Sequence, residues 1–263
     1  MTLPDQTPKQ QYILTLHYQF RFLNSTQIQK FLHHKNKKRI NTWLPDLVKK
    51  EYLETNYDRH TCGLNTHPAV YFFGKNGIRW LKTQEEFDPD MIRKLAKDKN
   101  RSETFQGTCQ RIVDICLDLI SQNNSVVRFD YVTESDYSQR QSPYYSFSSQ
   151  SGFTPHLIFT KQKNKIKTQY FLEIIAETLP YYRLKKRIRT YFKFLNEYEW
   201  KEYFTSSPHI LFTCHTKDVL IRIKRYTKKL FVDEEEQDIP ISFALEDDVK
   251  KAGITGEVWE NLN

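Results

Sequence analysis

A cluster of basic and amide side chains in the first half of the chain has the residue types that read DNA. Its members are Lys35, Lys37, Lys38, Arg39, Asn41 and Thr42. Arg and Asn side chains match base edges with paired hydrogen bonds, while Lys and Thr reach phosphate oxygens or bases. Because most basic helical faces are only solvated, the residue types alone leave both a DNA contact and a solvated surface open.

A second basic cluster lies in the other half of the chain. It consists of Arg183, Lys185, Lys186, Arg187, Arg189 and Lys193, and no acidic residue interrupts it. Each phosphate that such cations engage adds to the salt dependence of DNA binding. The alternative, a solvated helix with Tyr191 and Phe192 in the core, leaves the density of charge unexplained. Residues 216–231 repeat the pattern more weakly, because acidic residues 233–236 follow them.

The cysteines and histidines do not predict a metal site. No Cys-x-x-Cys pair occurs among Cys62, Cys109, Cys116 and Cys214. A structural zinc site usually needs such closely spaced ligands. The spacing of His33, His34, His60 and His67 is irregular as well. We predict reduced, buried thiols, polar surface histidines and no structural metal.

The elements around the first cluster predict a winged helix over residues 1–82. Apolar residues at helical spacing predict a first helix over residues 13–20, and Asn24 with Gln27 predicts the cap of a second. Residues 35–50 form the predicted third helix, with a kink or break at Pro45. Strands at 52–55 and 70–73 then enclose a polar wing tip at 58–68, where Arg59 and His60 are further candidate DNA contacts. A closing helix follows over 74–81.

Residues 83–101 are predicted to form a linker helix, and residues 102–263 a second domain. Helical spacing over 102–122 precedes predicted strands at 126–132, 157–160, 169–175 and 209–214, with basic helices at 181–198 and 216–231. This order predicts a mixed sheet flanked by helices, which places the whole chain in the α+β or α/β class. Residues 133–152 are predicted as a disordered surface loop rather than a ligand lid.

The overall charge favours a polyanionic partner. The chain has 263 residues, a formal net charge of +8 and a pI near 9.1. This balance favours nucleic acid over an acidic small substrate, and an anionic membrane surface would fit the charge equally well. However, no run of about eighteen apolar residues is present, and the N-terminus lacks a signal-peptide core. We therefore expect a soluble, cytoplasmic protein that does not use a membrane.

Short motifs in both halves resemble the replication-relaxation family of plasmids and other mobile elements. In the first half they are RFLNSTQI at 21–28, LPDLVKKEYL at 44–53, and VYF at 70–72 followed by Gly77. In the second half they are TPH at 154–156 and FLE at 171–173, followed by Thr178, Lys186 and Tyr191. The resemblance covers most of the chain. It implies an N-terminal winged helix and a domain similar to the PD-(D/E)XK nuclease fold.

The chain departs from the family pattern at its acidic positions. That pattern implies Asp after Pro155 and again two residues after Glu173, where this chain has His156 and Ile175. It also implies Gly before the wing, where this chain has Glu51. Paired acids hold the Mg²⁺ that activates water in such nucleases. We therefore predict a domain without catalysis or cofactor. If the domain is a nuclease, the catalytic residues are Glu173 and His156, and Mg²⁺ takes further oxygen ligands from Glu134, Asp136 or Glu177.

These observations predict a double-stranded DNA-binding protein of a mobile genetic element. It would act without catalysis in transcription control, plasmid replication or transfer. A homodimer is expected, because paired half-sites multiply specificity. Two alternatives stay open. One is a metal-dependent DNA nuclease or nickase that uses Glu173, and the other is an adaptor that recruits a replication, transfer or transcription protein.

Overall fold

The computed structural model describes residues 3–56, 68–137, 139, 142, 144–150, 153–197, 199–233 and 240–262. It combines helices with two sheets, which confirms the predicted mixed α and β class. The chain divides into two compact units, Met1–Leu117 with Ser138–Ser142, and Asp118–Tyr137 with Pro143–Asn263. The division falls within the helix Glu103–Ser121, whereas the sequence predicted a linker over residues 83–101.

The first unit contains helices and a small antiparallel sheet. Its elements are α1 (Pro8–Phe20), β1 (Leu23–Asn24), α2 (Ser25–Phe31), α3 (Ile40–Lys49), β2 (Leu53–Thr55), β3 (Val70–Phe73), α4 (Lys75–Leu81), α5 (Pro89–Leu95) and most of α6 (Glu103–Ser121). The strands pair in the order β1-β3-β2, with Leu23 opposite Tyr71 and Leu53 opposite Phe73. The predicted wing-tip residues Arg59 and His60, together with Cys62 and His67, lie outside the described residues.

Capping boxes begin the first two helices. At α2, the Asn24 side chain accepts hydrogen bonds from the backbone of Thr26 and Gln27, and the Gln27 side chain accepts from the Asn24 backbone N–H. This confirms the predicted cap. Thr7 and Gln10 form the same arrangement at α1. The first helix therefore begins at Pro8 and not at residue 13, the start that the apolar spacing predicted.

Helix α3 is shorter than predicted and continues through Pro45. It begins at Ile40, so the basic residues Lys35, Lys37, Lys38 and Arg39 lie in the turn before it. Of the predicted kink or break at Pro45, the break is wrong, because the helix is continuous there. Although proline removes one backbone hydrogen bond, Pro45 is exposed while Ile40, Leu44 and Leu47 are buried. Burial of this apolar stripe stabilises the helix enough to offset the lost bond.

A left-handed residue, Glu51, ends α3 and turns the chain into β2. Its φ is 57°. The backbone N–H of Tyr52 donates to Leu47 O, and that of Glu51 donates to Val48 O, both at 2.9 Å. Glycine usually occupies such a helix exit, because other side chains are strained at positive φ. The chain therefore makes the tight exit despite having Glu51 where the family pattern has Gly.

Residues of the predicted linker pack into the first unit. Phe87, Met91 and Leu95 are buried. The buried Arg21 guanidinium forms a two-bond pair with the buried carboxylate of Asp98, in which Nε lies 3.1 Å from Oδ2. Burying a charge is tolerated only when it is paired in this way. The segment is therefore part of the core of this unit and not a free connector.

The second unit is built on a six-stranded mixed sheet in the order β4-β5-β6-β7-β8-β9. Its elements after α6 are β4 (Val127–Val132), α7 (Glu134–Tyr137), α8 (Tyr145–Gln150), β5 (Leu157–Lys163), β6 (Ile166–Ile175), α9 (Tyr181–Asn196), β7 (His209–Cys214), α10 (Lys217–Asp233), β8 (Ile241–Leu245), α11 (Glu246–Ala252) and β9 (Glu260–Asn261). Strands β6, β7 and β8 are parallel, and the other neighbours are antiparallel. Parallel neighbours need crossover connections, which α9 and α10 supply.

The core of the second unit places Glu173 beneath α9. Phe171 and Ile175 belong to one apolar cluster with Leu184 and Ile188 of α9. Because side chains alternate along a strand, Glu173 lies between Phe171 and Ile175 on the same face of β6. Tyr191, one turn beyond Ile188, belongs to the same cluster. Strand β6 thus places the Glu173 carboxylate among apolar side chains.

The segment predicted as a disordered loop, residues 133–152, carries the helices α7 and α8 in its described part. The buried Phe147 ring lies 5.5 Å from that of Phe171 and 5.4 Å from that of Phe204. Tyr137 is buried as well. The prediction of disorder is wrong here, because these aromatic side chains anchor the segment in the core. Within the described ranges, no helix combines the length and apolar character needed to cross a membrane.

Candidate functional site

The first basic cluster is exposed at the start of α3. Lys35, Lys37, Lys38 and Arg39 lie in the turn before the helix, and Asn41 and Thr42 lie in its first turn. All these residues are exposed. The reason is the apolar stripe of the helix, which faces the core through Ile40 and Leu44 and leaves the polar positions on the solvent side.

The cations of this cluster are not neutralised locally. Lys37 Nζ donates to Thr26 Oγ1 (2.7 Å), and Thr42 Oγ1 donates to Lys38 O (3.2 Å). In the part of the chain that the structure describes, no carboxylate forms an ion pair with Lys35, Lys37, Lys38 or Arg39. Their charges are therefore available to an external anion.

The second basic cluster divides between solvent and core. Arg183, Lys186, Arg189 and Lys193 of α9 are exposed, and Lys185 is half-buried beside aromatic rings. Lys193 lies 3.5 Å from Glu197 in an exposed ion pair. Arg187 differs from the others, because it points inward to the sheet and bonds to a buried acid. The sequence analysis grouped Arg187 with the DNA-binding residues, because it treated all the basic side chains of α9 as equivalent.

Glu173 is fully buried and makes three polar contacts. Its Oε1 accepts hydrogen bonds from Arg187 Nη2 (2.7 Å) and from the Tyr191 hydroxyl. Its Oε2 lies 2.8 Å from His156 Nδ1. Arg187 Nη2 also donates to Thr154 O (3.0 Å), so the guanidinium links β6 to the segment that enters β5.

The electrostatics of this site keep Glu173 ionised. Burial alone would raise the pKa of its carboxyl, but the charges of His156 and Arg187 and their hydrogen bonds outweigh burial and lower it. Burial would lower the pKa of Arg187, and the Glu173 carboxylate raises it instead. Burial and the Glu173 charge raise the pKa of Tyr191 well above its ordinary value, so this phenol stays a donor.

His156 has two possible partners for one ring nitrogen. Its Nδ1 lies 2.8 Å from Glu173 Oε2 and 3.1 Å from the backbone N of Ile174. A protonated Nδ1 donates to the carboxylate, whereas an unprotonated Nδ1 accepts from Ile174 N–H. His156 therefore bonds to its surroundings in either state. The hydroxyl of Tyr137 holds the preceding residue by donating to Pro155 O.

The groups around Glu173 do not fit the Mg²⁺ site of a nuclease. Hard divalent cations need several oxygen ligands, but here a guanidinium, a phenol and an imidazole surround a single carboxylate. Asp136 accepts hydrogen bonds from the backbone N–H and hydroxyl of Thr133, both at 2.8 Å, and Glu177 is exposed beyond the end of β6. Among the residues described, no group of three His, Cys, Asp or Glu side chains is placed to hold a metal ion.

The sequence analysis missed two of the three partners of Glu173. It assigned Arg187 to the surface cluster and Tyr191 to the core without linking either residue to the acid. A signal was present in their spacing. Arg187 and Tyr191 are four residues apart and border the buried positions Leu184 and Ile188, so helical geometry directs both toward the sheet.

Comparisons with known proteins give a weak structural likeness. Two structures of the restriction endonuclease FokI match 93% of this chain, one of them bound to DNA. The DNA-bound structure has a TM-score of 0.31 and 12% identity, and the other a TM-score of 0.29 and 11% identity. This chain spans less than half of those proteins, 44% and 43% of their lengths. TM-scores near 0.3 are too low to assign a shared function.

Sequence comparison does not place the chain in a family. No family model matches it. No curated protein matches it either. The resemblance to the replication-relaxation family therefore rests on the short motifs alone.

Proposed function

We propose that this protein binds double-stranded DNA through the start of α3 and does not cleave it. The observation that carries the proposal is the exposed cluster without local carboxylate partners among the described residues: Lys35, Lys37, Lys38, Arg39, Asn41 and Thr42. Guanidinium and amide groups at the start of a helix suit base edges, and the flanking ammonium groups suit phosphates.

The order of elements in the first unit supports this use of α3. The unit has three helices followed by the antiparallel strands β2 and β3, and β1 completes the sheet. A winged helix has this order of elements. In helix-turn-helix proteins of this kind, the N-terminal residues of the recognition helix contact base edges in the major groove. Arg59 and His60 stay proposed contacts of the wing.

The absence of catalysis is proposed from the surroundings of Glu173. Arg187 occupies one carboxylate oxygen, and His156 faces the other. A metal-dependent nuclease or nickase would have to displace Arg187 and recruit further acids. The remaining cations of the predicted set on α9, namely Arg183, Lys185, Lys186 and Arg189, are proposed as nucleic-acid contacts, and Arg187 is left out of that set.

The biological setting is part of the proposal. The protein would act in transcription control, plasmid replication or transfer within a mobile genetic element. A homodimer would present two copies of α3 to paired half-sites. In the adaptor alternative, the second unit recruits a replication, transfer or transcription protein.

Selection of bound fragments from a random DNA pool tests sequence readout and identifies the target site. Gel shifts with the selected site then compare wild type with Arg39→Ala and Asn41→Ala. Each change should reduce discrimination against a mismatched site by about 1–3 kcal/mol. Lys49→Ala, an exposed basic residue in the last turn of the same helix, is the matched control and should retain discrimination. Unchanged discrimination in both test variants would contradict the proposal.

A plasmid assay tests the proposed lack of catalysis. Supercoiled DNA is incubated with the protein and either Mg²⁺ or Mn²⁺, and nicked product is quantified. We expect no nicking above the rate without protein. Nicking by the wild type that Glu173→Ala abolishes would instead establish the nuclease alternative.

A further inference from the structure

We infer that the second unit carries a binding surface for single-stranded nucleic acid, formed by the outer sides of α9 and α10. The surface, called here the tyrosine surface, consists of Tyr181, Tyr182, Arg183, Lys185, Arg189 and the half-buried Tyr226. It goes beyond the proposed duplex binding by α3, because it assigns a ligand to the cations of α9 and recognises exposed bases in place of groove edges.

Two aromatic rings on this surface are unusually accessible. Tyr182 is 66% exposed and Tyr181 is 42% exposed, at the start of α9. Aromatic side chains stabilise a protein mainly when they are buried, so exposed neighbouring rings contribute little to the fold. Accessible rings are the groups on which the bases of a single strand stack.

Basic side chains of α9 hold both rings in place. Arg183 Nε donates a hydrogen bond to the Tyr182 hydroxyl (3.1 Å). Lys185 Nζ lies 4.5 Å from the centre of the Tyr181 ring, within the range of a cation–π contact. Rings that are already oriented lose less conformational entropy when a base stacks on them.

The same cations continue from α9 to α10 as a positive track. Lys185 Nζ lies 5.3 Å from the centre of the Tyr226 ring, and the Arg189 guanidinium lies 5.9 Å from it. The Tyr181 and Tyr226 rings meet edge to face at 6.3 Å. Exposed Arg222 and Lys229 flank Tyr226 at helical spacing, so phosphates can follow the rings across both helices.

The combination of rings and cations favours a single strand over a duplex. In a duplex the bases are stacked on one another, so they offer no faces to a protein ring. Cations alone would suffice for a duplex backbone, and the exposed tyrosines would then remain without a function. A single strand uses both kinds of group, since its phosphates meet the cations while its bases stack on the rings.

The test measures binding of the full-length protein to a fluorescent thymidine oligonucleotide of about 12 nucleotides, a length within the usual site sizes. An abasic oligonucleotide of the same length supplies phosphates without bases. We expect the wild type to prefer the thymidine strand by about tenfold or more, since stacking on one aromatic residue has about that effect. Tyr181→Ala with Tyr182→Ala should abolish the preference, and Tyr181→Phe with Tyr182→Phe should retain it.

Controls separate this inference from the proposed duplex function. Tyr12→Ala removes an equally exposed tyrosine of the first unit, 43% accessible on α1, and should leave binding unchanged. Arg39→Ala should lose duplex discrimination and keep the thymidine preference. Thermal unfolding verifies that each variant is folded. Equal affinity for the thymidine and abasic strands, or unchanged affinity in the double Ala variant, would overturn the inference, as would a duplex preference that depends on the tyrosines.

Discussion

The helices α3 and α9, which lie beside the two basic clusters, differ in what fixes their orientation. Helix α3 is fixed by buried apolar residues such as Ile40 and Leu47, and the cations of the turn before it are left exposed. Helix α9 has a similar apolar stripe, but Arg187 is also bonded to buried Glu173. One cation of α9 is therefore structural. The number of basic residues on a helix does not give the number available to a nucleic acid, because a buried acid can take one of them.

The largest expected effect comes from removing the buried acid beneath α9. Glu173→Ala leaves Arg187 without its counter-ion, and breaking a buried pair on one side typically costs about 3–5 kcal/mol. We expect a loss of unfolding free energy near the lower end of this range, because 34% of the Arg187 side chain is exposed. Urea unfolding of the second unit measures the loss, whereas Arg39→Ala on the α3 side should change stability by less than about 0.5 kcal/mol.

Two further variants sharpen this result. Glu177→Ala removes an exposed acid just beyond the same strand and should be nearly neutral. Glu173→Gln with Arg187→Met removes both charges and should recover much of the loss. A cost below about 1 kcal/mol for Glu173→Ala would show that α9 is oriented by apolar packing alone, as α3 is.

Acid should destabilise the units of α3 and α9 through different groups. Burial lowers the pKa of His17 from 6.5 to about 4, so the folded state holds this imidazole neutral while the unfolded state binds a proton. The contribution of neutral His17 to the stability of the first unit is complete above pH 6.5. It is lost as the pH drops toward 4, by roughly 3 kcal/mol in total. The pKa of Glu173 is lowered from 4.5, so its contribution is lost only below that pH.

Urea unfolding at a series of pH values, followed separately for the two units, measures this difference. His17→Gln should flatten the dependence of the first unit between pH 6.5 and 4. His33→Gln replaces an exposed histidine of the same unit and should leave the dependence intact. Burial also lowers the pKa of His209 in the second unit, which adds an acid sensitivity there that His17→Gln does not remove. An unaltered profile in His17→Gln would contradict the assignment.

The smallest expected effect is at the exit of α3. Glu51 has a φ of 57°, where a side chain costs about 1 kcal/mol. Glu51→Gly should raise the unfolding free energy by about 0.5 kcal/mol, after the greater flexibility of glycine in the unfolded chain is counted. Lys75→Ala removes the exposed partner of Glu51, 2.8 Å away, and controls for loss of that ion pair. If Glu51→Gly lowered the unfolding free energy more than Lys75→Ala does, backbone strain at Glu51 would be excluded.

Local signals predicted much of this architecture. Three predicted features follow from contacts between near neighbours: the cap formed by Asn24 and Gln27, the helix over residues 102–122, and the strand that carries Glu173. The helix spans Glu103–Ser121 in the structure. Residues 133–152 were harder to predict, because their polar composition concealed the core position of Phe147.

Pairings between distant residues were beyond local signals. Arg21 and Asp98 are 77 positions apart, and β1 exists only because β3 pairs with it. In the candidate site, the sequence located Glu173 and His156 but not the bond to Arg187. Helical spacing gives the side of α9 on which Arg187 lies, whereas its partner depends on how α9 packs on β6.

The ion pair between Arg21 and Asp98 sets a limit on how the protein can be dissected. A fragment that stopped at residue 82 would retain Arg21 in its interior and lose the carboxylate that balances it. The complementary fragment, which starts at residue 83, would expose apolar residues such as Phe87 and Met91, and these would promote aggregation. Fragments divided at the predicted boundary after residue 82 would thus misfold. Their failure to bind DNA or protein would say nothing about the intact chain.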